Sequence, residues 1–344
     1  MSDTAIRNRP FFQAMVEGIE QEMERDETVF CMGEDIGKMG GVFQSTAGLM
    51  QKFGEDRVMD TPISETAMMG AALGAAVEGY RPIVELMFVD FMGVCFGQIM
   101  NEISKVAYMS GGNVNAPLVI TASTGGGFSD AAQHSQTLHG LFAHVPGLKV
   151  VAPSNPHDAK GLMISAIRDN NPVVYLFHKA IMGLPVMGYI DVEIDNHVPE
   201  ESYAIPLGEA RIVREGTDVT IVGLSQTVQK AAVAAEQLAE QGISAEVIDP
   251  RTLVPLDIDS IVASVQKTGR LLVVDEDYLH YGMTGELSAV IAERLDSIKL
   301  KSPVKRLGIN GVSIPYSRPL EQAAIPQVEH IVEEVAAMME VSVL

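Results

Sequence analysis

Tryptophan is absent from this chain, cysteine occurs twice, and basic residues number 24 against 45 acidic ones. Each shortage excludes something. The two cysteines, Cys31 and Cys95, both lie in apolar runs, which rules out a disulfide framework and fits a reducing compartment. A formal charge of -21 favours solubility and argues against a nucleic-acid or anionic-membrane partner. Long hydrophobic runs are missing as well. The stretch 83–96 is too short to span a bilayer and contains Glu85 and Asp90. The start, Met1-Ser2-Asp3-Thr4, has neither a basic region nor an apolar signal core, so a cytoplasmic location is expected.

Several reaction classes lack their motifs. Gly33, Gly37, Gly40 and Gly41 do not form the G-x-G-x-x-G fingerprint of a dinucleotide site, and no P-loop occurs. The eight histidines are scattered without zinc-type spacing. No G-x-S-x-G elbow accompanies His134-Ser135, which argues against a serine hydrolase.

What is present is an alternation of strands and helices that suits parallel sheets, an α/β fold. At 344 residues and 47% hydrophobic content the chain is long enough for two domains, each with a core. Strands are expected near 29–32, 57–60, 82–87, 117–121, 148–153 and 172–177, with helices at 12–25, 68–77, 91–106 and 156–168. Periodicity fades beyond residue 179, where Gly, Pro and acidic residues accumulate. The alternation restarts with strands at 218–223, 245–248 and 270–275 and helices at 227–241, 258–268, 285–295 and 328–339. The expected division is a domain at 1–180, a linker at 181–205 and a domain at 206–344. No short-period repeat or low-complexity tract interrupts it.

One segment stands out: Asp60-Thr61-Pro62-Ile63-Ser64-Glu65, followed by Gly70, Gly74 and Gly79. A strand ends at Asp60, Thr61-Pro62 stops it, and Ser64 sits where a helix cap belongs. Glu65 then falls in the first helical turn, at the mouth of an α/β crevice where such folds hold ligands. A helix-start glutamate favoured by the helix dipole is the plainer alternative. The small-residue loop 124–127 leads to Ala131-Ala132-Gln133-His134-Ser135-Gln136, a setting for an exposed imidazole or for a loop histidine bonded to backbone. His139, His144 and His157 have weaker claims, because packing in neighbouring elements explains each.

These residues reach a recognisable pattern. Over its whole length the chain resembles the beta subunit of the thiamine-diphosphate-dependent component of 2-oxo acid dehydrogenase complexes. The matching segments are Met32-Gly33-Glu34-Asp35, 60–65, 131–136, His144-Val145-Pro146-Gly147-Leu148, Asp158-Ala159-Lys160-Gly161-Leu162, Ala166-Ile167-Arg168-Asp169-Asn170-Asn171-Pro172, Arg251-Thr252 and Ile314-Pro315-Tyr316-Ser317. Segments 85–91, 93–96 and 201–206 are similar to the acetoin dehydrogenase branch. The short passage from Gly33-Glu34-Asp35 to Val42-Phe43 resembles the pyruvate and branched-chain branches instead.

The resemblance implies two parallel-sheet domains, a transketolase-like pyrimidine-binding domain and a transketolase C-terminal-like domain. It implies that Glu65 meets a ring nitrogen of the cofactor's aminopyrimidine and shares a proton with it. His134 matches the histidine that assists acyl transfer to a lipoyl group. Glu34, Met87 and Phe91 fall on the cofactor pocket, Met87 reading equally well as a core methionine. Leu118, Ala166, Ile167, Asp169 and Asn171 match a monovalent-cation site suited to potassium, although such a loop also serves structure alone. The Gly-Asp-Gly motif that holds the magnesium and diphosphate in this family is absent. The implied partners are therefore an alpha subunit carrying those contacts, in a heterotetramer of two alpha and two beta chains, and a lipoyl-bearing acyltransferase. A noncatalytic assembly subunit is the other reading, but it needs neither Glu65 nor His134. A self-sufficient transketolase-like enzyme needs the missing metal motif.

Overall fold

The computed structural model describes residues 6–184 and 194–340; residues 1–5, the linker stretch 185–193 and residues 341–344 lie outside them. In chain order the strands are β1 (Ile6–Asn8), β2 (Val29–Gly33), β3 (Val58–Asp60), β4 (Arg81–Phe88), β5 (Val119–Thr124), β6 (Lys149–Val151) and β7 (Val173–His178). They continue with β8 (His197–Pro199), β9 (Arg211–Arg214), β10 (Val219–Gly223), β11 (Ala245–Asp249), β12 (Thr252–Val254), β13 (Leu271–Tyr278) and β14 (Lys305–Ile309).

A seven-stranded sheet has the order β12-β6-β7-β5-β4-β2-β3, and a five-stranded sheet the order β14-β13-β10-β11-β9. Neighbours run parallel except at one edge of each, where β12 pairs antiparallel with β6 and β9 with β11. Every residue of β5, β7, β10 and β11 is buried, as expected of parallel strands covered on both faces. In the linker, β8 pairs antiparallel with β1.

Some elements follow directly from local chemistry. The helix Pro156–Arg168 begins where Asn155 accepts the Asp158 N–H at 2.9 Å, with proline in the first turn. Glu65–Val77 starts after Ser64 as expected, yet the Ser64 side chain makes no capping bond. The single helix expected over 91–106 is instead broken into pieces. Met92–Gly97 carries non-helical torsions at Cys95, and a π-turn follows over Gln98–Ile103. Gly93 and Gly97 lie in this stretch, where weak helix propensity lets packing decide the path.

The two halves are not separate bodies. β12 comes from the second half and completes the first sheet. One buried apolar cluster runs from Met68 and Leu86 through Val150 to Val222, Ile248 and Ile291. Polar contacts cross the same junction. Arg251 grips the fully buried Asp158 with two bonds of 2.9 Å, and Ser154 donates to Asp249 at 2.5 Å.

Asp158 therefore tests how firmly the halves are joined. Burial pushes its carboxyl up, but His157, Arg251 and Asn155 outweigh that and hold it at about 2, against an ordinary 3.8. Asp158→Asn leaves Arg251 without its partner, at an expected cost of about 3 kcal/mol in urea unfolding at pH 7. A depressed carboxyl contributes fully above its unfolded pKa and loses that contribution as pH falls towards its folded one. The gap between the two proteins should accordingly shrink below pH 3.8 and vanish near pH 2. A cost under about 0.5 kcal/mol at pH 7, the range of an ordinary surface change, would show the junction to be held by apolar packing alone.

Candidate active site

The segments singled out by sequence leave the carboxyl ends of four adjacent strands, β3, β2, β4 and β5. Glu34 follows β2, and Glu65 opens the helix after β3. Met87 ends β4 with Phe88, and Phe91 lies one short turn beyond. His134 sits in the loop after β5. This is the edge on which open α/β sheets hold ligands.

Two carboxylates are buried here, Glu34 at 6% exposure and Glu65 at 8%. They are close enough to act on each other. Burial and then the charge of Glu65 push the Glu34 carboxyl up, partly offset by the Ser64 N–H. Glu34 Oε1 has no hydrogen-bond partner. Cys95 lies beside Glu65, and burial together with that charge drives its thiol up to about 12, which makes it a space-filling group rather than a nucleophile. The strand end behind Glu34 is fixed by Asp60, which accepts the Gly37 N–H at 2.6 Å, and by buried Glu85, which Ser45 Oγ bonds. Burial raises Glu85 to about 7.

On the other side stands an aromatic wall. The His134 ring meets Phe88 edge-on with centroids 4.7 Å apart and Phe91 at 5.6 Å. Phe88 also packs on Phe91 at 5.5 Å and on Phe43 at 5.6 Å. Met87 is half-buried, and its carbonyl accepts from Ser123 Oγ at 2.5 Å. Cys95 Sγ reaches the Phe91 carbonyl at 3.8 Å, and the Phe91 ring meets His134.

This arrangement fits the aminopyrimidine end of thiamine diphosphate. A flat heteroaromatic ring with protonatable nitrogens needs apolar faces and buried carboxylates, and the unpartnered Glu34 oxygen supplies a free acceptor. It does not fit a metal. Among the described residues no group of three or more His, Cys, Asp or Glu can hold one. A groove of about 1000 Å³ between the halves, lined by Leu138, His144, Leu253, Tyr281 and Met283, contains none of these site residues.

The residues matched to potassium lie apart, at the amino ends of β5 and β7 and the end of the helix Pro156–Arg168. The Ile167 and Asp169 carbonyls both accept from Arg81 Nη1 at 2.9 Å. The Leu118 carbonyl accepts from Val173 at 3.0 Å and that of Ala166 from Asp169 at 3.3 Å. The Asp169 carboxylate pairs with Lys149 and accepts the Asn171 N–H at 2.8 Å.

Sequence reasoning missed Phe88, Lys179, Glu276 and Glu321. The buried Lys179 ammonium donates to Asp130 at 2.7 Å and to the His134 carbonyl, and lies 5.4 Å from the Phe88 centroid. Burial lowers its pKa. Glu276 and Glu321 come from the second half and accept from the glycine loop. The run Asp275-Glu276-Asp277 was the available signal, since acidic residues inside an apolar strand pattern are seldom buried without partners.

Comparison with known proteins matches residues 9–183 to the transketolase pyrimidine-binding domain and 208–331 to the transketolase C-terminal domain. The chain is 48% identical over 328 residues to an acetoin:2,6-dichlorophenolindophenol oxidoreductase subunit beta of Cupriavidus necator, covering 92% of this chain and 94% of that one. It is 41% identical over 328 residues to a pyruvate dehydrogenase E1 component subunit beta of Staphylococcus epidermidis, covering 95% and 98%. A split-gene transketolase, solved as an inactive beta4 tetramer, shares the fold with a TM-score of 0.78 at 22% identity, over 97% of this chain and 99% of that one. The chain thus belongs to the beta subunits of the thiamine-diphosphate-dependent components of 2-oxo acid dehydrogenase complexes, with a transketolase-type α/β fold.

Proposed function

We propose that this chain is the beta subunit of an enzyme that cleaves acetoin and passes the acyl group to lipoamide. The observation that carries this reading is the buried pair Glu34 and Glu65 facing an aromatic wall that ends in His134. Similarity to the Cupriavidus subunit favours acetoin. The short passage after Gly33-Glu34-Asp35 favours pyruvate or a branched-chain 2-oxo acid as the second reading. Residues 1–180 hold the pyrimidine end of the cofactor, 181–205 link, and 206–344 close the site from behind.

Bound thiamine diphosphate supplies the carbon nucleophile and electron sink for cleavage beside a carbonyl. Glu65 exchanges a proton with a ring nitrogen of the aminopyrimidine, and Glu34 accepts a hydrogen bond through its free oxygen. Phe91, Phe88 and Met87 would line the face of that ring and keep water from it. His134 holds or gives a proton where the lipoyl group arrives.

Magnesium and the diphosphate fall to an alpha subunit, in a heterotetramer of two alpha and two beta chains. The helix Glu65–Val77 supports such a partner. Gly70, Ala71, Gly74 and Val77 are exposed on it, and a Cβ at Gly70 or Gly74 would meet nothing within 4 Å. That small-residue face is not used for packing within this chain. A potassium ion at Leu118, Ala166, Ile167, Asp169 and Asn171 would share two carbonyls with Arg81, and no step above depends on it. Among the described residues no helix is long and apolar enough to cross a membrane, and a cytoplasmic location fits the reading.

Two substitutions in the assembled complex test the roles. Glu65→Gln keeps the shape and removes the proton. It should lower turnover roughly 10²–10⁴-fold, with a dye or with lipoamide as acceptor; activity within a few-fold would reduce Glu65 to a helix-start residue. His134→Ala should depress the lipoamide-linked rate far more than the dye-linked one. Equal losses in the two assays would make His134 a general cofactor-site residue.

A further inference from the structure

The loop that carries His134 starts with Thr124-Gly125-Gly126-Gly127, a composition suited to cradling an anion with backbone N–H groups. Here its donors are taken by carboxylates of the same chain. Gly126 donates to Glu276 Oε1 at 2.6 Å, Gly127 to Glu321 Oε1 at 2.8 Å, and Ser129 to Glu321 Oε2 at 3.1 Å. The glycines are what permit so close an approach. At Gly125 φ is +83° and a Cβ would lie 1.8 Å from His178 Nε2; at Gly126 it would lie 3.1 Å from Glu321 Oε1.

The far end of the loop is held by the same strand. Asp275 on β13 meets His139 Nδ1 at 3.0 Å, Asp277 accepts the Gly140 N–H at 3.0 Å, and Tyr278 Oη donates to Gln136 at 3.3 Å. Gln136 in turn bonds Asp90, next to Phe91, at 2.9 Å. The four carboxylates from the second half, Asp275, Glu276, Asp277 and Glu321, are buried, Glu321 and Asp275 completely. Their bonds go to the loop itself rather than to Glu34 or Glu65.

We infer that Glu276 and Glu321, with Asp275 and Asp277 at the opposite end, are positioning residues through which the C-terminal half sets the geometry of His134. The inference rests on the reading of His134 as the acyl-transfer residue. Buried carboxylates are costly unless hydrogen-bonded, so they hold N–H donors firmly. Two such anchors on each side of His134 leave its loop little freedom.

Glu321 is the best probe, because its helix Arg318–Ala324 is short and lies outside both sheets. In the assembled complex, Glu321→Ala should raise amide hydrogen exchange of residues 125–136 at least tenfold while leaving that of β4 and β10 unchanged. It should lower the lipoamide-linked kcat about tenfold, with the dye-linked rate and cofactor affinity within twofold. Glu321→Gln, which keeps one acceptor, should restore most of both. In a His134→Ala background Glu321→Ala should add no further loss, since residues that act through one another are not additive. Unchanged exchange in the loop, or a full additional loss in the His134→Ala background, would overturn the inference. A His134→Ala enzyme with normal rates would instead defeat the proposed role of His134, while the exchange data would still decide whether Glu321 orders the loop. Should Glu321→Ala fail to assemble, the same exchange comparison on Glu276→Ala decides the matter, with a rise in residues 125–136 expected and none contradicting the inference.

Discussion

Two carboxylates buried side by side oppose folding, and the pair Glu34 and Glu65 is the constraint on which the rest of this structure depends. Each charge loses solvation and repels the other, and Glu34 Oε1 finds no partner. Such an arrangement persists only where the surroundings leave it no alternative. Here β2 runs in fixed parallel register between β3 and β4, Asp60 pins Gly37, and Glu85 with Ser45 holds the returning loop. The unfavourable pair is then ready for a ligand that brings a proton and hydrogen-bond donors. A carboxyl raised by burial and a neighbouring charge, as Glu34 is, belongs to the kind of group that gathers at functional sites.

The second half of the chain contributes to the same site from a distance. From it β12 extends the first sheet, and β13 sends an acidic end into the junction. Glu276 shows how such burial is made tolerable. Burial pushes its carboxyl up, and His178 at 3.2 Å, Lys230 and the Gly126 N–H together hold it down at about 2. His139 is the counterpart: burial lowers it, and Asp275, Asp277 and Glu276 raise it above its ordinary value. Charges that would be solvated in a separate domain are here matched across the junction.

Much of the fold was legible because parallel strands covered on both faces read as unbroken apolar runs. Val119-Ile120-Thr121 and Val219-Thr220-Ile221-Val222 are of this type, and Asn155-Pro156 marks a helix start by its own chemistry. The short edge strands β9, β12 and β14 escaped notice, since three to five residues with mixed burial carry no periodic signal. The break in 91–106 escaped too, because apolar spacing does not reveal a π-turn. Glu65 and His134 stood out through short local motifs. Glu276 and Glu321 did not, because they meet the glycine loop across 150 and 194 residues of chain. Glu321, isolated among apolar and small residues, reads as surface in sequence.

The proposed reading puts carboxylates and aromatic rings on this chain and leaves magnesium and the diphosphate to an alpha subunit. Calorimetric titration of thiamine diphosphate with magnesium into the purified chain, and into the chain joined to its alpha subunit, tests this most directly. The chain alone should give no saturable binding, and the pair should bind one cofactor per beta chain with release of enzymatic activity. Binding of equal strength to the isolated chain, with turnover, would contradict the division of the site between two polypeptides.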